Sequence, residues 1–77
     1  MKQISRAELE HLRETHPAGT RVMLVSMDDE QAPPPGTMGT VTGVDDTGSV
    51  MVNWDNGSRL NALWRVDVIR KVVQADD

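Results

Sequence analysis

The chain has no cysteine, no phenylalanine and no tyrosine, and its two tryptophans are its only aromatic residues. Without cysteine there are no disulfide staples and no thiolate zinc site, so stability has to come from one small packed core. With aromatics so scarce, that core has to be aliphatic. No run of about 18 apolar residues is present, and no basic-then-apolar leader opens the chain, so the expectation is a soluble, cytoplasmic protein away from membranes. The 77 residues allow one domain. A chain of this size hides only about 60% of its unfolded surface on folding, which excludes two enzyme lobes or a cofactor-spanning sheet.

What is present begins with a helix. Ser5-Arg6-Ala7-Glu8 is a capping box, in which the Ser5 hydroxyl and the Glu8 carboxylate each satisfy an orphan backbone N–H. Ile4 before the cap and Leu9 at the fourth helical position have the spacing of a hydrophobic staple. Leu9 and Leu12 make a narrow apolar stripe. Pro17 disfavours helix at His16 and Gly19 completes the stop, leaving about ten residues, too short to be stable alone.

From Thr20 the pattern alternates. Arg21–Val25, Met38–Val44, Ser49–Trp54, Arg59–Leu63 and Val66–Val73 read as five strands. Gly39 and Gly43 mark a bulge or a close backbone approach in the second. Val50, Val52 and Trp54 share one face of the third, with Met51 and Asn53 on the other. Asp55-Asn56-Gly57 predicts a tight hairpin turn with positive φ at both Asn56 and Gly57. A long acidic loop with three prolines separates the first two strands, Asp45–Gly48 is a short turn, and Ala62–Arg65 is a kink without a turn dipeptide. This is the order of an SH3-like small barrel: mainly β, five-stranded, preceded by a short N-terminal α-helix. An OB-fold usually needs a helix between strands three and four, and only about four residues separate them here. The expected division is residues 1–16 as a helix packing on the barrel, 17–73 as the SH3-like β-barrel, and 74–77 as a frayed tail.

Several blocks also carry a resemblance: Pro17–Val22, Met27–Asp29, Ala32–Thr37, Gly39–Asp46 and Val52–Ser58. Across roughly Pro17 to Ile69 the chain resembles a bacterial and phage family catalogued as a domain of unknown function (four-three-one-four), with the N-terminal helix outside the match. Met23 and Met38 stand where that family usually has polar residues. The resemblance implies a small SH3-like barrel, often in phage or mobile-element settings, and implies no activity.

Charge is distributed unevenly. Residues 28 to 56 hold six acids (Asp28, Asp29, Glu30, Asp45, Asp46 and Asp55) and no Lys or Arg, while all eight bases lie in the flanks. In an SH3-like barrel the first long loop and the turn between strands two and three form the two walls of the usual ligand groove. Five of the six acids fall there, which makes an acidic groove that attracts a basic segment and repels a phosphate backbone. The plainer alternative is that acid pairs are good turn residues and keep a small protein soluble. Trp64, at the kink, is either a ring on the groove floor or a cover for the open end of the core, with its indole N–H on a loop carbonyl. Met23 and Met51 face outward if Val22 and Val52 face inward; they form an adaptable patch or lie under Leu9 and Leu12 of the helix. The proline run is either an extended ligand for another protein or a stiffener of its own loop.

His11 and His16 are five apart and share no helical face, and Asp28–Glu30 lacks the alternation and central glycine of a calcium loop. No phosphate-cradling glycine loop and no nucleophile–base arrangement is legible, so neither metal, cofactor nor catalysis is expected. Two functions remain. One is a non-catalytic protein-interaction module, with Asp28, Asp29, Glu30, Asp45, Asp46 and Trp64 binding a basic segment of an unidentified protein, and with weak self-association compatible with it. The other is a nucleic-acid-associated accessory domain of a phage or mobile element, using Arg21, Arg59, Arg65, Arg70 and Lys71. A net charge of −4 is the wrong sign for the second.

Overall fold

The computed structural model describes residues 3–72. Helix α1 spans Arg6–Thr15, and the strands are β1 (Arg21–Ser26), β2 (Met38–Val44), β3 (Val50–Trp54) and β4 (Val68–Lys71). The protein is mainly β, with one N-terminal helix and four antiparallel strands in an open sheet of order β3-β2-β1-β4. The capping box forms as the sequence requires: Glu8 N–H donates to Ser5 Oγ at 3.1 Å and Ser5 N–H to Glu8 Oε1 at 3.2 Å. At the far end His16 N–H still reaches the Leu12 carbonyl, and the chain then leaves the helix before Pro17.

Alternation puts one face of each strand in the core. Val22, Leu24, Val41, Val50, Val52, Trp54 and Ala62 are buried, and Leu12, Met27, Val44 and Ile69 pack against them. Leu12 therefore covers the open side of the core rather than the outward face that carries Met23 and Met51. An exposed helix with no buried residue of its own depends on such tertiary contacts, among them that of Leu12 and that of Arg13, which donates to the Val44 carbonyl.

The β1–β2 hairpin has an internal symmetry that the sequence carries in a repeated Pro-X-Gly-Thr. Thr20 N–H and its hydroxyl both donate to the Pro17 carbonyl, at 3.1 and 2.6 Å, and Thr37 does the same to Pro34 at the same distances. Gly19 and Gly36 have φ of 95° and 93°. Each turn then docks on the opposite strand: Gly19 and Thr20 exchange hydrogen bonds with Val41, and Gly36 and Thr37 with Leu24. Val22 and Gly39 pair at the centre. The proline run thus ends in a tight turn with Pro33 buried, which makes it a stiffener of its own loop.

The remaining turns and the fourth strand depart from expectation. At Asp55-Asn56-Gly57 only Gly57 has positive φ, at 93°. Gly57 N–H donates to the Trp54 carbonyl, and Trp54 N–H to the Ser58 carbonyl, a three-residue loop rather than the two-residue one that needs both residues left-handed. The Asp45–Ser49 turn is built the same way, with Gly48 at 88°. The stretch Arg59–Leu63 is not a strand but one bridge, Ala62 with Val50, because the Leu60 carbonyl accepts the Trp54 indole N–H at 2.9 Å. β4 is shorter than expected because Val66 and Asp67 are used in a turn. Val73 and the tail 74–77 lie outside the described residues. A bulge between Val41 and Gly43 and a close approach at Gly39 are both present, as the two glycines indicate.

Candidate functional site

After the Ala62 bridge the chain turns sharply at Leu63–Val66, with Val66 N–H on the Leu63 carbonyl at 3.1 Å. One carboxylate organises this corner. Asp67 Oδ2 accepts from Leu63 N–H at 2.8 Å and Oδ1 from Asp28 N–H at 2.9 Å. The start of the acidic loop is thereby tied to the corner that carries Trp64. Asp67 was not singled out from the sequence; no local pattern distinguishes it.

Trp64 is half-buried on this corner, and among the described residues its indole N–H has no hydrogen-bond partner. The carbonyl bond expected of it belongs to Trp54 instead. Beside the ring lies a cavity of about 420 Å³, walled by Ile4, Asp46, Ser49, Leu63, Trp64 and Val66. Leu63 and Val66 are half exposed, at 47% and 52%. Ile4 reaches the Trp64 corner over Gly48, where a Cβ would lie 2.8 Å from Ile4 Cδ1 and 3.2 Å from Trp64 Cβ. Leu63 and Trp64 also line a smaller cavity, about 210 Å³, with Leu12, Val50, Ala62 and Ile69. Ile4, Leu63 and Val66 were missed as site residues, although the apolar run around Trp64 was the available signal.

Arg65 follows with φ of 62°, the one non-glycine with positive φ among the described residues. An L-residue there costs about 1–2 kcal/mol. Its guanidinium carbon lies 4.7 Å from the Trp64 ring centroid, and Nη2 is 3.5 Å from Glu8 Oε2.

The structure divides the acids. Asp45 Oδ1 accepts from the Thr47 hydroxyl and from the Thr47 and Ser49 N–H groups, so this carboxylate holds its own turn. Asp46 pairs with Arg13 of α1 at 2.7 Å and lines the larger cavity. Asp55 is bidentate with Arg21. Asp29 accepts from Gln31 N–H. Asp28, Asp29 and Glu30 are exposed and are not among the residues that wall these two cavities. Ile4, just ahead of α1, lines the larger cavity, and Arg13 of α1 pairs with Asp46 on its wall. Of the six acids, those of the 28–30 loop reach the site only through the Asp67 bridge.

The basic residues do not converge either. Arg21 is spent on Asp55 and Thr40, and Arg65 on Trp64 and Glu8. Arg70 pairs with Met23 and Lys71 with Val22, which places the two on opposite faces of the sheet. Arg59 is exposed in the loop that follows the Gly57 turn.

The Asp55 carboxylate raises Arg21 above its ordinary value, and the three shifts that bear on acidic and neutral pH are all downward. The Thr47 hydroxyl holds Asp45 below the ordinary carboxylate value of 3.8, and the Arg21 guanidinium does the same for Asp55. Partial burial lowers His16 from its ordinary 6.5. A folded-state value below the unfolded one means the unfolded chain binds the proton more readily, so stability falls on acidification. Urea midpoints are therefore expected to be highest near neutral pH. They should begin to fall below about 6.5 as the unfolded chain's histidine protonates, and fall again below about 3.8 as its carboxylates do. The His16→Asn variant should lose the first decline and keep the second; a midpoint that rises on acidification contradicts these assignments.

Among the described residues no helix is long and apolar enough to cross a membrane, and no group of three His, Cys, Asp or Glu is placed to hold a metal ion. No curated protein and no solved structure gave a match. The family model described as Domain of unknown function (DUF4314) matches residues 5–72. That span takes in helix α1, which the sequence blocks had left outside. With the four strands, the Trp64 corner and the helix all within the match, the chain belongs to the DUF4314 family.

Proposed function

We propose that this protein is a non-catalytic protein-interaction module built on an SH3-like barrel. The strand succession supports that description: β3, β2, β1 and β4 lie side by side in the order that such a barrel needs, with Ala62 continuing past β3. The partner is an extended segment that places an apolar side chain in the cavity beside Trp64 and a basic residue toward the surrounding acids. One observation carries the reading: a cavity large enough for a side chain, with Ile4, Leu63 and Val66 on its wall, is flanked by a half-buried tryptophan whose N–H has no partner among the described residues. A Trp that offers both an apolar face and a donor is the kind of residue that dominates binding energy. Asp46 lies on the cavity wall, and the Asp67 carboxylate joins Leu63 to the start of the Asp28–Glu30 run. Asp46 on the wall, with the exposed 28–30 acids tied to the same corner, favours a basic partner segment and disfavours nucleic acid. The engagement of Arg21 with Asp55 further weakens the nucleic-acid alternative.

The test is an amide and indole resonance titration with an acetylated, amidated Ser-Lys-Leu-Arg-Ser peptide. The Trp64 indole and the Thr47, Ser49, Leu63 and Val66 amides should shift, with weaker shifts at Asp28 to Glu30, while the Trp54 indole stays in place. A peptide with Glu in place of Lys and Arg should bind more weakly. Shifts confined to Arg59, Arg70 and Lys71 on adding a DNA duplex, fading steeply with salt, sink the proposal.

A further inference from the structure

We propose that the face of Trp64 is an arginine-binding position which the chain fills with its own Arg65, and that a partner's Arg or Lys takes Arg65's place on binding. This rests on the interaction-module reading and specifies how a basic segment is recognised. The two components that recognise a guanidinium are already assembled there. The Arg65 guanidinium carbon stands 4.7 Å from the Trp64 centroid, and Glu8 Oε2 is 3.5 Å from Nη2. A π face and a carboxylate together are the usual partners of a planar cation.

The way Arg65 reaches this place argues that it is an exchangeable occupant. Its φ of 62° falls at the third position of the Leu63–Val66 turn, where glycine or asparagine is the ordinary choice. The turn thus carries an arginine in a backbone conformation that disfavours it. Among the described residues its guanidinium meets Trp64 and Glu8. The contact is also open: the Arg65 side chain is 61% exposed and that of Glu8 43%. A second cation can approach without the core moving. Glu8 Oε1 keeps its bond to Ser5 N–H throughout, so the exchange leaves the capping box in place. The Trp64 ring meanwhile stays fixed by the corner beneath it, where Asp67 holds Leu63.

Arg65→Gly removes the internal cation and suits the positive φ, so the fold is retained; an unmoved Trp54 indole resonance checks this. Titrated with the Ser-Lys-Leu-Arg-Ser peptide, this variant should bind roughly two- to fivefold tighter than wild type, the span of an exposed cation–π contact that no longer has to be displaced. Arg65→Lys should bind like wild type. Glu8→Gln, which preserves the cap, should weaken binding of the peptide in the Arg65→Gly background. Equal or weaker binding by Arg65→Gly, with the Trp64 indole still shifting, overturns the exchange and leaves the interaction site standing. No Trp64 response in either protein overturns both.

Discussion

Replacing Gly39 by alanine is expected to lower stability by about 3 kcal/mol or more, the top of the range for forcing atoms into a packed core. A Cβ there would lie 2.6 Å from Val52 Cγ1, 2.7 Å from Trp54 Cε3 and 3.1 Å from the Asn53 carbonyl oxygen. Two of these atoms belong to buried side chains and the third is backbone, so nothing nearby can yield cheaply. Gly39 also sits at the centre of the β1–β2 pairing, between the two Pro-X-Gly-Thr turns, so a shift there disturbs both. Gly43→Ala is the control. Its Cβ meets only Met51 Cε, at 3.1 Å, the tip of a flexible side chain, and should cost less than about 1 kcal/mol. Urea unfolding of the two variants measures the contrast directly. Similar losses in both would show that Gly39 is not the close contact described.

Trp54→Ala is expected to remove a large part of the protein's stability. Truncating a buried Trp costs about 3–5 kcal/mol, and a chain of this length has a total stability of only about 4–12 kcal/mol. Trp54 is 3% exposed and is the one aromatic side chain in the core cluster. It also holds the Leu60 carbonyl, so its loss frees the segment that leads to Ala62 and the Trp64 corner. Trp54→Phe separates the two roles: it keeps most of the apolar volume and leaves Leu60 without its donor, which should cost about 1–3 kcal/mol. Denaturation followed by circular dichroism distinguishes these outcomes. A cooperative transition near the wild-type midpoint for Trp54→Ala would contradict the role given to Trp54.

What the sequence revealed divides by range. Ser5 and Glu8 specify the helix start by themselves because a capping box closes within four residues. The alternation of Val50, Val52 and Trp54 fixes which face is buried, and Gly39 and Gly43 mark the close approach and the bulge. The fourth strand was misread because strand propensity in Arg59–Leu63 is local, whereas the Trp54 side chain that takes the Leu60 carbonyl comes from the other side of a turn. The paired Pro-X-Gly-Thr turns are two four-residue copies, too short to register as a repeat in the sequence. The candidate site was legible in part. Trp64 and Asp46 do wall one cavity, but the claim of Arg13 on Asp46 joins residues 33 apart, and no local pattern announces it. The same holds for Ile4, whose place over Gly48 depends on where the helix packs.

The Trp64 corner is proposed as a binding site for a short segment with an apolar and a basic residue. Selection from an unbiased peptide display library, on wild type and on a Trp64→Ala variant shown to be folded by its Trp54 indole resonance, tests it most directly. Peptides enriched on wild type should carry Lys or Arg beside an apolar residue and lose binding to Trp64→Ala. Enriched peptides that bind Trp64→Ala equally well, or that share no basic residue, would contradict it.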